Sequence, residues 1–323
     1  MNSQHNFYNL VSNEILAVEA LMRQQAKNNH FDLRVALDHL IHSGGKRIRP
    51  NITLLSGKLL NGDMERVVTL SSAIELLHTA TLVHDDLIDG SLLRRGIPTL
   101  NAKWSPAATV LTGDFIFAKA AKLASDTDSI PVMRLFSETL GIIVNGEFTQ
   151  LFASRGIVDR DEYYQRIYAK TASLFETSTK SAAILCDASL EDTAHLTKFG
   201  YELGIAFQIV DDILDFTGKQ EDIGKPVGGD LRQGLVTLPA LLFIKNNPKH
   251  PYLLEHLKEN CLKFTSQVET LIQDIRNSEA IEGAFQIATQ HINEGLLALK
   301  KLPESIYRNA LEEIAYYVIE RKL

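Results

Sequence analysis

The chain is short of the residues that mark several large classes of protein. Only two of its 323 residues are cysteine, Cys186 and Cys261, and there is no Cys-x-x-Cys pair. That leaves no disulfide framework and no cysteine zinc site, and a reducing, cytoplasmic location is the expectation. Positive charge is also in deficit: 33 Lys and Arg stand against 40 Asp and Glu, a net charge of −7. A nucleic-acid partner is therefore not expected. No uninterrupted apolar run approaches the roughly 18 residues of a membrane span. The opening residues, Met1-Asn2-Ser3-Gln4-His5-Asn6-Phe7, have neither the charged nor the apolar region of a signal peptide. Strict polar–apolar alternation, the mark of half-buried strands, is scarce.

Helical periodicity is what remains, and it runs the length of the chain. It predicts helices over 4–27, 32–43, 51–60, 64–89, 105–125, 131–154, 160–187, 190–217, 231–246, 250–276, 278–300 and 303–321. Pro50, Pro106, Pro131 and Pro303 fall at or near helix starts, where a missing N–H costs little. Pro239 does not, and implies a late start or a kink in its helix. Gly200 and Gly204, four apart, suit close approach of a neighbouring helix. With 45% hydrophobic residues and no linker, the expectation is one all-α domain over 1–323, a large helical bundle with a central substrate cavity.

Two stretches carry the chemistry. Ile74 to Asp89 begins as an apolar helix and ends in Asp85, Asp86 and Asp89. Phe207 to Asp215 repeats the device with Asp211, Asp212 and Asp215. At 3.6 residues per turn the first and last aspartates of each set share a helix face. Three carboxylates at the negative end of a helix dipole repel one another and need an offsetting cation. One such cluster reads as a solvated helix end. Two with identical spacing read as facing sets that share Mg2+, an ion suited to a few carboxylates plus phosphate oxygens.

Cations cluster nearby in sequence. Ser43-Gly44-Gly45-Lys46-Arg47-Ile48-Arg49-Pro50 combines three of them with two glycines, without the order of a Walker loop. Arg94 and Arg95 follow the first acidic set, Lys170-Thr171 sits in a helix, and Lys225 lies in the glycine-rich loop after the second set. Metals on the aspartates would hold one diphosphate, separate cations a second, and the lining between is apolar. That inventory points to a pair of isoprenoid diphosphates.

The order Gly-Gly-Lys-Arg-Ile-Arg-Pro (44–50), His-x5-His-Asp-Asp-x-x-Asp (78–89), Arg-Arg-Gly (94–96), Lys-Thr (170–171), Phe-Gln-x-x-Asp-Asp-x-x-Asp (207–215) and Gly-Lys-Pro-x-Gly-x-Asp (224–230) resembles the trans-polyprenyl diphosphate synthase family from about residue 40 onward. The resemblance implies an all-α isoprenoid synthase fold and a prenyltransferase, usually dimeric. It implies that Asp85, Asp86, Asp89, Asp211, Asp212 and Asp215 bind Mg2+ (two or three ions) with the allylic diphosphate. Lys46, Arg49, His78 and Arg95 match the isopentenyl diphosphate site. Arg94, Lys170, Gln208 and Lys225 match contacts to the allylic diphosphate, farnesyl or geranylgeranyl. Lys170, Thr171 and Gln208 are the polar groups suited to steadying the allylic cation. Where shorter-chain members carry Gly-Lys-x-Thr, this chain has Gly234-Leu235-Val236-Thr237.

Product length is legible too. In the family an aromatic residue four or five positions before the first aspartate stops chain growth early; here those positions are Thr81 and Ala80, both small. A medium- or long-chain product for quinone side chains is expected, handed on to a membrane, with the stop deeper, at Leu77, Ile74 or Phe136. Two alternatives stay open: the catalytic half of a heteromeric synthase with an accessory subunit, and a shorter-chain geranylgeranyl synthase. From another class, Glu75-x-x-His78 has the spacing of di-iron bundles, but no second copy occurs.

Overall fold

The computed structural model describes residues 6–42, 45–94, 96–152, 159–218, 227–250 and 265–320. Arg95, Lys225 and Cys261, with Ser43 and Gly44 of the basic loop, lie outside the described residues. The all-α expectation holds: among the described residues the extended structure is a single two-stranded hairpin. In chain order the first helices are α1 (Asn6–Leu10), α2 (Ser12–Gln24), α3 (Phe31–His42), α4 (Ile48–Leu59) and α5 (Met64–Ile88). The hairpin strands β1 (Leu93–Arg94) and β2 (Ile97–Pro98) come next, then α6 (Leu100–Lys103), α7 (Pro106–Ser125), α8 (Ile130–Phe152) and α9 (Arg160–Ile167). A π-helical segment, Tyr168–Ala172, leads into α10 (Ser173–Leu185), and α11 spans Leu190–Thr217. Further helices cover Gly229–Arg232, Leu238–Asn246, Thr265–Arg276, Ala280–Leu299 and Ile306–Glu320.

Most expected boundaries fall within a few residues of these, and the departures have local causes. Helix α4 starts at Ile48 rather than 51, because Pro50 tolerates the first turn, where N–H groups have no intrahelical partner. Pro239 sits in the first turn of Leu238–Asn246, so the helix expected from 231 is two pieces, Gly229–Arg232 and Leu238–Asn246. Asp159 and Glu162 form a reciprocal capping box that starts α9.

By its contacts the chain divides into two compact units. The first comprises Met1–Gly141, Leu174–Gly200 and Leu296–Ile314. Its spine is α5, on which α7 packs most extensively, followed by α4 and α2. Ile74, Leu76, Leu77 and Ala80 of this helix are fully buried. Helix α5 is long and apolar enough to cross a membrane by length and composition, but 67% of its apolar window is buried in the protein, as a core helix requires. Two glycines make room for their neighbours here, one for a side chain and one for backbone. A Cβ on Gly113 of α7 would come within 2.1 Å of His84 Nε2, and one on Gly200 of α11 within 2.7 Å of the Phe175 carbonyl of α10. The second unit comprises Ile142–Ser173, Tyr201–Gly295 and Ala315–Leu323. Its core gathers Phe216, Leu231, Val236, Phe243, Leu271, Ile272 and Ile275.

Candidate active site

The first aspartate set closes α5. Asp85 is half-buried, Asp86 buried and Asp89 exposed. Placing all three at the negative end of a helix dipole requires a counter-charge, and Arg94 of β1 supplies it. Its Nε lies 3.0 Å from each oxygen of Asp86 and an Nη 2.8 Å from Oδ1. The hairpin is fixed to make that reach possible. The Ser91 amide donates to the Asp86 carbonyl, while the Thr99 hydroxyl and the Asn101 amide group both donate to the Ser91 carbonyl. His84, beside the set, points away from it: Nε2 lies 3.2 Å from the Val110 carbonyl of α7 and so carries the proton.

The basic loop divides its labour. Arg47, in the left-handed backbone region with φ 46°, sends its guanidinium inward. Burial pulls that group's pKa down, but Glu75 and then Glu19 more than offset it, and it stands above its ordinary value. Lys46 is exposed, and Arg49 lies over the Phe175 ring, 4.5 Å from its centre. His78 is half-buried on α5, three residues beyond Glu75. Of the chain-length positions on the same helix, Ile74, Leu77 and Ala80 are fully buried and Thr81 half-buried, its hydroxyl donating to the His78 carbonyl; Phe136 of α8 is buried as well.

The second set lies on α11 in the other unit. Here the π-helical segment matters: such an insertion shifts the register of a helix and recurs at functional sites. It carries Lys170, which is exposed and pairs with Glu147 at 3.4 Å, and Thr171, which is buried. Thr171 donates to Gln208 Oε1 (2.6 Å), Gln208 Nε2 donates to Asp212 Oδ1 (2.8 Å), and the Tyr163 hydroxyl donates to Asp212 Oδ2 (2.7 Å). This chain fixes the Gln208 amide in one orientation. Burial, with the nearby charge of Asp230, pushes the Asp212 carboxyl up to about 7 against the hydrogen bonds from Gln208 and Tyr163. Burial and the Asp212 charge likewise hold the Tyr163 hydroxyl well above its usual range, so it stays a donor. Asp211 is half-buried, and Asp215 accepts from the Gly229 and Asp230 amides.

Both sets thus share a pattern that spacing alone did not disclose. The middle aspartate, Asp86 or Asp212, is buried on protein partners, while the first and last of each set are less enclosed. Among the described residues no three acidic, His or Cys side chains converge on one point. The less enclosed carboxylates, Asp85, Asp89, Asp211 and Asp215, are hard oxygen donors of the kind that suit Mg2+, which is commonly held by one or two carboxylates and completes its shell with phosphate oxygens and water. Arg94, expected at a diphosphate, is engaged with Asp86. Tyr163 was missed, although Tyr163, Ile167 and Thr171 recur at the i, i+4 spacing of one helix face.

An all-α fold with two such aspartate helices is that of an isoprenoid synthase, and the enzyme is a prenyltransferase. The chain belongs to the polyprenyl diphosphate synthase family: the profile described as Polyprenyl synthetase matches residues 32–275. It is 36% identical over 317 residues to heptaprenyl diphosphate synthase component 2 of Bacillus subtilis, covering 98% of this chain and 90% of that one. The heptaprenyl diphosphate synthase of Staphylococcus aureus superposes with a TM-score of 0.92 at 34% identity, covering 97% of this chain and 99% of that one. The polyprenyl synthase of Caulobacter crescentus, solved with calcium and isoprenyl diphosphate, gives 0.92 at 31% identity over 98% of each chain.

The Asp212 environment makes a pH prediction. Its folded pKa is raised, so the stability that the neutral carboxyl contributes is present below about pH 4 and lost as pH rises through about 7. Asp212→Asn removes this dependence. In chelator, the Tm of the variant relative to wild type should therefore rise between pH 5 and pH 8, as thermal unfolding at the two pH values would read. An unchanged difference would mean that the carboxyl is charged throughout.

Proposed function

We propose that the enzyme condenses isopentenyl diphosphate repeatedly with an allylic diphosphate, in the presence of Mg2+, to give a medium- or long-chain all-trans polyprenyl diphosphate. The observation that carries this reading is the pair of Asp-Asp-x-x-Asp helix ends in one chain with the cation loop around Lys46 and Arg49. The two units are read as one functional domain, since the matched stretch 32–275 includes residues of both. Asp85, Asp89, Asp211 and Asp215 would hold the ions directly, with Asp86 and Asp212 completing each set. When bound, the metal supplies the positive charge that steadies the departing diphosphate.

The chain's own groups do the rest. Arg94, Lys170, Gln208 and Lys225 hold the allylic diphosphate; Lys46, Arg49, His78 and Arg95 hold isopentenyl diphosphate. The allylic C–O bond breaks with its electron pair leaving on diphosphate, and the isopentenyl double bond forms the new C–C bond. A proton is then lost to the released diphosphate. Thr171 and Gln208, already bonded to each other, can steady a cation through their dipoles without attacking it. The apolar lining of α5 keeps water from quenching it.

A homodimer is part of this reading. Val144, Phe148, Leu151 and Phe152 of α8 are between 53% and 74% exposed and form an apolar stripe at helical spacing, the kind of patch that marks an interface. A cytoplasmic location and release of the product to a membrane belong to it as well. The Bacillus subtilis relative is named as one component of a synthase, which supports a second reading as the catalytic subunit of a heteromer. Assay of the purified chain with both diphosphates and Mg2+ separates the two, because product from the chain alone requires no accessory subunit.

Three further outcomes are expected. Asp85→Ala should lower turnover by on the order of 10³-fold while the fold persists, since it removes a ligand and relieves like-charge repulsion; survival of turnover within a few-fold at saturating Mg2+ would refute the metal assignment. Phe148→Glu should convert a dimer to a monomer in sedimentation, and a dimer that persists would discard the α8 interface. Ala80→Phe, five residues before Asp85 on α5, should shift the dephosphorylated products, separated by chromatography, toward farnesyl or geranylgeranyl length. An unchanged product distribution would show that growth does not run along this face.

A further inference from the structure

Arg47 stands in the middle of the cation loop, yet its side chain leaves the loop for the interior. Its Nε lies 3.1 Å from Glu19 of α2, one Nη 2.8 Å from Glu75 of α5, and the other 2.8 Å from the Ile41 carbonyl near the end of α3. The Arg47 side chain is 11% exposed and that of Glu75 only 6%, so this is an ion pair held almost wholly out of water. A glutamate so deep is tolerated only when paired, and a planar five-donor fork is what can meet three acceptors on three helices at once. The backbone of the same residue is committed as well. It sits at φ 46° and ψ 36° as the N-cap of α4, and its carbonyl accepts from both the amide and the side chain of Asn51, itself fully buried. The Tyr8 hydroxyl donates to the carbonyl of Lys46 next to it. A left-handed conformation at a residue other than glycine persists only where its surroundings impose it.

We propose that Arg47 is a positioning residue: through Glu75 and Glu19 it fixes the turn from which Lys46 and Arg49 project, and does not itself meet a diphosphate. The inference rests on the assignment of Lys46 and Arg49 to isopentenyl diphosphate and deepens it. Lys46 and Arg49 flank Arg47 by one and two residues, so a left-handed turn locked between them sets the angle between their side chains. Glu75, in turn, precedes His78 by three residues on α5, one face of one helix. Loop and helix contributions to the same diphosphate are thereby tied to a single buried ion pair.

The test uses the full-length enzyme and steady-state kinetics with each substrate varied. Arg47→Lys keeps a charge beside Glu75, so that the protein folds, but cannot reach three acceptors. It should raise the KM for isopentenyl diphosphate roughly 10- to 100-fold, the cost of a small misplacement of binding groups. The KM for the allylic substrate and kcat should move by less than about threefold. Glu75→Gln should do the same, and the double variant should be no worse than the worse single one, as partners in one unit are not additive. A Glu75→Gln enzyme with wild-type KM beside an impaired Arg47→Lys enzyme would overturn the proposal, since Arg47 would then meet the substrate itself. Equal increases in both KM values with a fall in Tm would also overturn it, leaving only a general role in the fold. Arg49→Ala in the same series separates the layers. If it leaves the KM for isopentenyl diphosphate unchanged, the loop is not the site and the inference falls with that reading; if it raises that KM while Arg47→Lys does not, the inference alone is overturned.

Discussion

Like charge gathered at a helix end is the constraint to which much of the structure answers. Two helices each finish in three carboxylates, where the helix dipole already disfavours negative charge. Each unit deals with its own set by withdrawing the middle aspartate from solvent and giving it partners of a different kind. Asp86 takes the guanidinium of Arg94, a full counter-charge. Asp212 takes two neutral donors, Tyr163 and Gln208, whose hydrogen bonds offset only part of the push toward protonation from burial and the charge of Asp230. The two solutions differ in consequence: Asp86 has a cation of the chain's own beside it, whereas burial leaves the Asp212 carboxyl raised to about 7.

That difference explains why some of the site was legible in the sequence and some was not. The aspartates stand at spacings that periodicity can interpret, because a helix converts i and i+4 into one face without reference to anything else; Lys46 and Arg49 showed as a glycine-flanked basic loop, and Gln208 through the family resemblance. Partners from distant segments cannot be read this way. Nothing local to Tyr163 says that its hydroxyl meets Asp212; Arg94, by contrast, follows the first acidic set closely enough for the sequence to suggest that it offsets those charges, and it does so at Asp86. The π-helical segment at Tyr168–Ala172 was equally silent, since one extra residue per turn changes no composition. Its effect is nevertheless specific, because it sits at the point where Thr171 meets Gln208.

The fold was more legible than the site's wiring. Long amphipathic stretches place helices well because burial of one face dominates their energetics. The errors fall where proline or a short connection decides the boundary, as at Pro50 and Pro239. The hairpin of Leu93–Pro98 was invisible for a related reason: two residues per strand are too few for alternation to register, and it is held instead by Thr99 and Asn101 on the Ser91 carbonyl.

Helix α5 brings these strands of argument onto one scaffold. Asp85 follows Glu75 by ten positions, about 15 Å of rise. Within that length the helix anchors the cation loop through Glu75, presents His78, buries Leu77 and Ala80, and ends in the first aspartates. A single rigid element therefore sets the spacing between the loop that would hold one substrate and the carboxylates that would hold the other. This accounts for a buried charge in the middle of an otherwise apolar helix, where a hydrophobic pair of equal volume is often no less stable. The ion pair is better understood as a register pin than as a source of stability. It joins the turn at Arg47 to one level of α5, and a slip of one residue would cost the burial of both charges.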